Sequence, residues 1–163
     1  MKILALDPGC SRSALVALDE RVVVGAWLED NGSIRERLLQ ADVGVPRTSM
    51  LVVEQVEGMG MAVGAEVFET VWWSGRFMEC WRGPSTRLTR RAIKLHLCGH
   101  TRANDTNIRM AMLDRYGPGR AAAVGTTKQR GPLYGLKADL WQALAVGVTY
   151  LETAAMADRM RRA

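Results

Sequence analysis

The sequence predicts an α/β fold with a mixed sheet that begins with an antiparallel meander of three strands. Short apolar runs at residues 2–6, 13–18 and 22–28 are separated by turn residues, first Asp7-Pro8-Gly9 and then a charged tight turn. A fourth apolar run, residues 50–53, follows only after a helical pattern. Because most of the remaining chain has helical periodicity, we expect helices packed against this sheet.

Helix boundaries are indicated by apolar spacing and by capping residues. Ser33 is a candidate N-cap for the first helix, and Thr89 and Asn104 are candidate caps for two later ones. Residues 117–137 are rich in glycine, proline and basic residues, which predicts a mobile loop. The predicted helices cover residues 32–41, 62–81, 89–97, 104–116 and 138–160.

The size and composition favour one globular domain spanning residues 1–163. The chain is 48% hydrophobic and 24% charged, which is ordinary for a folded protein. No apolar run approaches the roughly 18 residues of a membrane span, and the N-terminus does not resemble a signal peptide, so we expect no membrane partner and a cytoplasmic location. The three cysteines form no CxxC pair, and His96 and His100 match no common zinc spacing.

The charge distribution points to a polyanionic partner. Residues 1–81 carry seven Lys and Arg against twelve Asp and Glu, whereas residues 82–130 carry eleven Lys and Arg against Asp105 and Asp114 alone. A basic block inside a folded chain usually faces a polyanion such as DNA, although a solvated basic surface is the alternative.

Two acidic residues stand where buried strands end. Asp7 follows the first apolar run, and Glu54 interrupts the fourth. If these strands are neighbours, both carboxylates meet at one edge of the sheet, where they repel unless a cation lies between them. Mg²⁺ or Mn²⁺ suits such oxygen ligands. Each residue alone also has a structural explanation, Asp7 as a turn residue before proline and Glu54 as an edge-strand residue.

A third acidic residue, Asp139, begins the last predicted helix. Asp139 and Gln142 are three positions apart and therefore share a helix face. The apolar residues 143–148 that follow would pack this helix on the sheet. Spacing does not distinguish a metal ligand from an aspartate that complements the helix dipole.

Several motifs, in their order and spacing, resemble the RuvC-type Holliday junction resolvases over nearly the whole chain. The opening Leu4-Ala5-Leu6-Asp7-Pro8-Gly9, the strand Val52-Val53-Glu54 and the helix Ala138-Asp139-Leu140-Trp141-Gln142 carry the likeness. The intervening segments are similar to the phage-type branch of this family, namely Val67-Phe68-Glu69-Thr70, Lys94-Leu95-His96-Leu97-Cys98-Gly99, Asn104-Asp105-Thr106-Asn107-Ile108-Arg109 and Pro132-Leu133-Tyr134-Gly135.

The resemblance implies a ribonuclease H-like fold, a homodimer through helix 62–81, and paired nicking of four-way DNA junctions. It also implies that Asp7, Glu54 and Asp139 bind two divalent ions, Mg²⁺ or Mn²⁺, which activate the attacking water and stabilise the leaving 3′ oxygen. Many members have a second acid on the last helix, where this chain has Gln142. The fourth ligand is therefore open.

The candidates for this fourth ligand are Gln142 through its carbonyl, Glu57, or water. Asp105 is another acid, but its position at a predicted helix start favours a dipole-complementing role. If the protein is phage-encoded, its location would be the host cytoplasm.

Side chains that would contact DNA are predicted by charge rather than by motif. On the long helix the adjacent Trp72 and Trp73 cannot both face one core; either one stacks on bases or, as the resemblance favours, one lies in a dimer interface. Met61 and Met78 are predicted to be core residues. The candidate DNA-contacting residues are Lys94, Arg102, Arg109, Lys128, Arg130 and Lys137.

Three other functions compete with junction resolution. One is cleavage of flaps or forks by the same fold, and another is junction binding without catalysis, which Gln142 suggests. The third is ATP binding as in the actin and sugar-kinase superfamily, whose members open with a similar strand and aspartate. A chain of 163 residues has no room for the two domains that this third function needs.

Overall fold

A computed structural model describes residues 1–58, 60 and 62–162, and within them five strands form one mixed sheet. The spatial order is β3-β2-β1-β4-β5. The predicted α/β class and the antiparallel meander are confirmed. The strands are β1 (Lys2–Asp7), β2 (Arg12–Asp19), β3 (Val22–Asp30), β4 (Met50–Gln55) and β5 (Ser85–Thr89).

The pairing of β1 with β4 places the two predicted carboxylates at one edge of the sheet. These strands are parallel, and Leu6 lies opposite Val53. Asp7 and Glu54, the next residues along each strand, therefore emerge side by side. Strand β5 continues the parallel part of the sheet but was not predicted, because Ser85–Thr89 is mostly polar and half-exposed and shows no apolar run.

Helices cover both faces of the sheet. Alternate residues of β1 point to opposite sides, so Leu4 and Leu6 pack with α1 and α2 while Ile3 and Ala5 pack with the helices of the other face. The helices are α1 (Asn31–Gln40), α2 (Ala65–Trp81), α3 (Arg90–Cys98), α4 (Asp105–Tyr116), α5 (Arg120–Ala123) and α6 (Leu140–Arg162).

Some predicted helix boundaries are wrong. Asp30, rather than Ser33, caps α1, because its carboxylate accepts the backbone N–H of Ser33 at 3.0 Å. Helix α2 begins at Ala65 instead of residue 62, while the prediction for Met61 lies outside the described residues. The predicted caps Thr89 and Asn104 are confirmed.

The predicted loop 117–137 contains more structure than its composition suggests. It forms the one-turn helix α5 and a short antiparallel bridge between Gly125 and Arg130, and it buries Leu133 completely. An apolar side chain inside a basic, glycine-rich segment ties this loop to the core, which composition alone did not predict.

Helix α6 is packed closely against the centre of the sheet. A Cβ atom at Gly147 would lie 3.0 Å from the Ala5 Cβ and 2.6 Å from the Leu18 Cδ1, so glycine permits this approach. The helix start is thereby held near the ends of β1 and β4. Among the described residues, no helix is long and apolar enough to cross a membrane, and the three cysteines are free thiols.

Candidate metal centre

Asp7 is held at its position by a braced turn. A Cβ atom at Gly9 would lie 2.3 Å from the Arg12 carbonyl oxygen, so the chain can turn this tightly only with glycine there. The Gly9 N–H donates to the Ser13 hydroxyl at 3.1 Å, and the Asn31 amide donates to the Gly9 carbonyl at 3.0 Å. The Ser13 hydroxyl donates in turn to Asn31 at 2.6 Å. This network fixes the backbone directly after Asp7.

Glu54 is a buried carboxylate paired with an arginine. It is only 8% exposed, and the Arg90 guanidinium donates to both of its oxygens at 2.9 and 3.1 Å. Arg90 is the first residue of α3, directly after the capping residue Thr89. The end of β5 and the start of α3 thus place the Arg90 guanidinium beside the end of β4.

The same guanidinium reaches two further side chains. It forms an ion pair with Asp105, the first residue of α4, and its Nη2 lies 3.4 Å from the side-chain amide oxygen of Gln142. Arg90 therefore joins β4, α4 and α6 at a single point.

Asp139 lies just before α6, not within it. Its carbonyl accepts the N–H of Ala143 at 3.0 Å, and the preceding Ala138 has a left-handed backbone with φ of 45°. The Asp139 side chain is exposed, whereas Gln142 is buried. The prediction that Asp139 begins the helix is thus off by one residue, and its carboxylate is free to face solvent or a bound ion.

The electrostatics of this edge are dominated by negative charge. Burial is the largest cause, and together with the charges of Glu54, Asp139 and Asp105 it raises the pKa of Asp7 to about 8, although Arg90 acts to lower it. Burial also raises the pKa of Glu54, which the charge and hydrogen bonds of Arg90 partly offset. One arginine does not neutralise this many carboxylates, so the site favours an additional cation.

The residue types at this edge fit a hard divalent cation, but their arrangement includes an obstacle. Asp7, Glu54, Asp139 and Asp105 supply carboxylate oxygens, which Mg²⁺ and Mn²⁺ prefer. Within the described part of the chain, no three His, Cys, Asp or Glu side chains are arranged to hold a metal ion. The Arg90 guanidinium stands among these carboxylates, so a metal ion would have to displace it.

A groove of about 800 Å³ opens beside Glu54. Its walls include Lys94 and Arg102, both predicted DNA contacts, together with Arg91 and the exposed Glu57. Glu57 therefore lies near the carboxylates, on the groove wall. The lining carries four basic side chains against the two carboxylates Glu54 and Glu57, which suits a phosphate backbone running past the site.

The other predicted DNA contacts lie in different surroundings. The Arg109 guanidinium packs 4.7 Å above the Trp141 ring and is half-buried. Arg130 lies 4.9 Å above the Tyr134 ring, in the loop before α6. Lys128 and Lys137 are exposed in that loop.

Arg90 was not singled out from the sequence, and Asp105 was expected only as a residue at a helix start, where it does lie. Both are the first residues of helices whose caps were correctly predicted, so the caps alone could have placed them at helix starts. No sequence signal showed that β5 lies beside β4, and it is this pairing that brings Arg90 to Glu54.

No protein-family model and no curated protein sequence matches this chain. Solved structures of other proteins do match this chain. The Thermus thermophilus RuvC structure matches with a TM-score of 0.66 and 17% sequence identity, covering 96% of this chain and 97% of that one. T. thermophilus RuvC in complex with a Holliday junction substrate matches with a TM-score of 0.65, 16% identity and 96% coverage of each chain. The chain therefore has the ribonuclease H-like fold that RuvC has.

Proposed function

We propose that this protein is a divalent-metal-dependent endonuclease that resolves four-way DNA junctions by paired nicking. The observation that carries the proposal is the pair of carboxylates, Asp7 and Glu54, at the adjacent ends of parallel strands β1 and β4. The similarity in fold to RuvC, which has been solved with a Holliday junction, supports this choice of substrate.

Asp7, Glu54 and Asp139 would hold the metal, as two ions of Mg²⁺ or Mn²⁺. When bound, the ions would activate water for attack on a phosphodiester and stabilise the leaving oxygen. Asp7 is central in the sheet, and the Ser13–Asn31 brace keeps its backbone in place. Asp139, exposed at the start of α6, would contribute from the other side of the same edge.

The basic groove beside Glu54 would hold the DNA backbone. Lys94 and Arg102 would neutralise phosphates close to the carboxylates, which otherwise repel DNA. Lys128, Arg130 and Lys137 in the loop before α6 would extend this contact, and Arg109 would join them if it leaves Trp141. We assign residues 1–163 to one nuclease domain.

We further propose a homodimer through α2. The C-terminal part of this helix buries Phe77 and Trp81 in the core, but its first turns expose Phe68 and Trp72 by 66% and 54%. Trp73 instead stacks on Phe77 at 5.5 Å and packs against the core, while the exposed Trp72 ring meets Trp73 edge-on at 5.2 Å. A two-fold axis along this exposed stripe would bury it and supply two active sites for the paired nicks.

The proposal is tested by incubating the protein with Mg²⁺ and a synthetic four-way junction, beside a flap, a fork and a linear duplex. We expect paired nicks in the junction and little cleavage of the duplex. Asp139→Asn should abolish nicking while leaving junction binding and the melting temperature intact, because asparagine is nearly isosteric. The matched control is Asp158→Asn at the far end of α6. Near-normal nicking by Asp139→Asn would remove this residue from the site.

A second candidate function is junction binding without cleavage. Two observations favour it, the amide Gln142 in place of an acid and the Arg90 guanidinium among the carboxylates. Tight junction binding with no nicking in either Mg²⁺ or Mn²⁺ would select this function. Faster cleavage of flaps or forks than of junctions would instead select a branched-DNA nuclease of the same fold.

A further inference from the structure

Asp105 occupies a position that helix capping does not explain. The N-cap of α4 is Asn104, whose side chain accepts the Asn107 N–H at 2.9 Å, while the Asn107 side chain accepts the Asn104 N–H at 3.0 Å. This reciprocal capping box satisfies the backbone N–H groups of Asn104 and Asn107 without the Asp105 side chain. Asp105 is therefore available for another role, and its carboxylate pairs with Arg90.

The Arg90 guanidinium shows where a cation fits beside Asp105 and the proposed metal ligand Glu54. The Arg90 guanidinium contacts the buried Glu54, the exposed Asp105 and the side-chain amide oxygen of Gln142. These three side chains come from β4, α4 and α6, so their oxygens surround one positively charged group. Each of the three presents oxygen to the cation, as ligands of a hard metal ion do.

We propose that Asp105 supplies the fourth carboxylate of the metal centre, the one that α6 lacks at Gln142, and that Arg90 is a positioning residue. Its guanidinium holds Glu54 and Asp105 together until a divalent ion displaces it. This inference rests on the proposed metal-dependent function and names a residue of the same site.

The geometry favours Asp105 over the other candidate for the fourth acid. Glu57 and Asp105 are both exposed, but Glu57 lies on the groove wall beyond the end of β4. Asp105 instead shares a guanidinium with Glu54, so the two carboxylates already lie on either side of one cation. Gln142 reaches the same guanidinium and would remain a neutral oxygen ligand or a neighbour of the site.

The test is a titration with Mn²⁺ alone, followed by electron paramagnetic resonance in the absence of DNA. Asp105→Asn should weaken Mn²⁺ binding about tenfold or more, because a charged ligand is lost. Asp114→Asn, an exposed aspartate on the same helix, is the matched control and should leave the affinity unchanged. Equal affinities of the two variants would overturn the assignment.

A rescue variant separates ligation from a general charge effect. Adding Gln142→Asp to Asp105→Asn moves the carboxylate from α4 to α6, where the residue 142 side chain reaches the same Nη2 of Arg90 as Asp105 does. We expect the Mn²⁺ affinity to return to within about threefold of that of the original protein, because the site regains a carboxylate. A threefold difference is clearly smaller than the tenfold loss expected for Asp105→Asn. If the double variant binds Mn²⁺ no better than Asp105→Asn does, carboxylates at positions 105 and 142 do not serve the same metal site.

The role of Arg90 predicts a change in the opposite direction. Arg90→Gln removes the competing cation, so Mn²⁺ affinity should rise about threefold or more, and Mn²⁺ should raise the melting temperature by more than it does in the unaltered protein. If Arg90→Gln is too unstable to measure, Arg90→Lys retains one charge and should show Mn²⁺ affinity nearer the original. Weaker Mn²⁺ binding in Arg90→Gln would refute displacement.

The outcomes also separate this inference from the proposed function. Asp7→Asn measured in the same titration reports whether the metal centre exists at all. If Asp7→Asn binds Mn²⁺ as well as the original protein does, the proposed metal-dependent function fails. If Asp7→Asn loses Mn²⁺ but Asp105→Asn does not, the function stands and the assignment of Asp105 is wrong.

Discussion

Two ionic clusters in this protein have opposite balances of charge. At the edge of the sheet, Arg90 is shared by Glu54 and Asp105, and the charge of Asp139 is close enough to raise the pKa of Asp7. On the helical face, one carboxylate, Glu152 of α6, receives several partners instead. These are Arg21, His96 at 2.7 Å and Arg115 at 3.2 Å.

The pKa values of the buried Glu54 and the half-buried Glu152 move in opposite directions as a result. Burial raises the pKa of Glu54 despite Arg90. Burial would also raise the pKa of Glu152, but hydrogen bonds from His96 and Arg115 outweigh it and lower the value. The Glu152 cluster is satisfied by the protein itself and ties β2–β3, α3 and α4 to α6. The Glu54 cluster remains short of positive charge, which is the property expected of a cation-binding site.

The largest effect is expected at Asp7. Asp7→Asn should lower the cleavage rate about 10³-fold or more, because a central ligand is lost. Without metal, the same variant should be more stable at pH 8, by roughly 2 kcal/mol or more.

The sign of this pH effect follows from the raised pKa. An Asp with a pKa of about 8 in the folded state holds a proton that the unfolded chain releases near pH 4, so the stability of the original protein falls as pH rises between these values. The stabilisation by Asn should therefore grow across this window in thermal melts. If Asp7→Asn is less stable than the original protein at pH 8, the site is not short of positive charge.

Glu152 should behave in the reverse manner. Glu152→Gln should destabilise the fold by about 2 kcal/mol at pH 7, because Arg21 and Arg115 lose a charged acceptor. Since the pKa of Glu152 is lowered, this stabilisation is present above the usual glutamate pKa of about 4.3 and is lost as pH falls through the lower folded value. Denaturant melts at pH 7 and pH 3 measure the difference, and junction nicking should be unchanged.

A smaller effect is expected in the loop before α6, which we propose contacts DNA. Lys128→Ala with Arg130→Ala should reduce the salt dependence of junction binding by a slope of about 1–2 and weaken binding to all branched DNA alike. The control is Arg159→Ala with Arg162→Ala, at the end of α6 and about 30 Å from its start. Fluorescence anisotropy at several salt concentrations measures the slopes. Identical slopes for both double variants would remove the loop from the interface.

The smallest effect is expected for an ion pair that belongs to neither cluster. Asp158 and Arg161 pair on the exposed end of α6, three residues apart. Asp158→Asn should change stability by less than about 0.5 kcal/mol in thermal melts, because solvent screens such pairs. A loss as large as that of Glu152→Gln would show that burial does not distinguish the Glu152 cluster from a surface pair.

The acidic residues at the ends of β1 and β4 were predictable from local patterns. An apolar run that ends at Asp7-Pro8-Gly9, and another that runs into Glu54, point to the same edge once the strands are parallel neighbours. The caps Thr89 and Asn104 were predictable because capping depends on residues only a few positions apart. The loop around Leu133 was not, since burial of one leucine depends on distant elements.

The sequence by itself determined the α/β class, the meander, the caps of α3 and α4, and the candidate carboxylates Asp7, Glu54 and Asp139, because periodicity and turn chemistry are local. Only the tertiary structure decided which charges meet. Strand β5 has no apolar signature, and its pairing beside β4 brings Arg90 to Glu54 and Asp105. Arg90 lies 36 positions from Glu54 and 15 positions from Asp105 in the sequence. Sheet order and helix placement make these residues partners, and no local pattern encodes either.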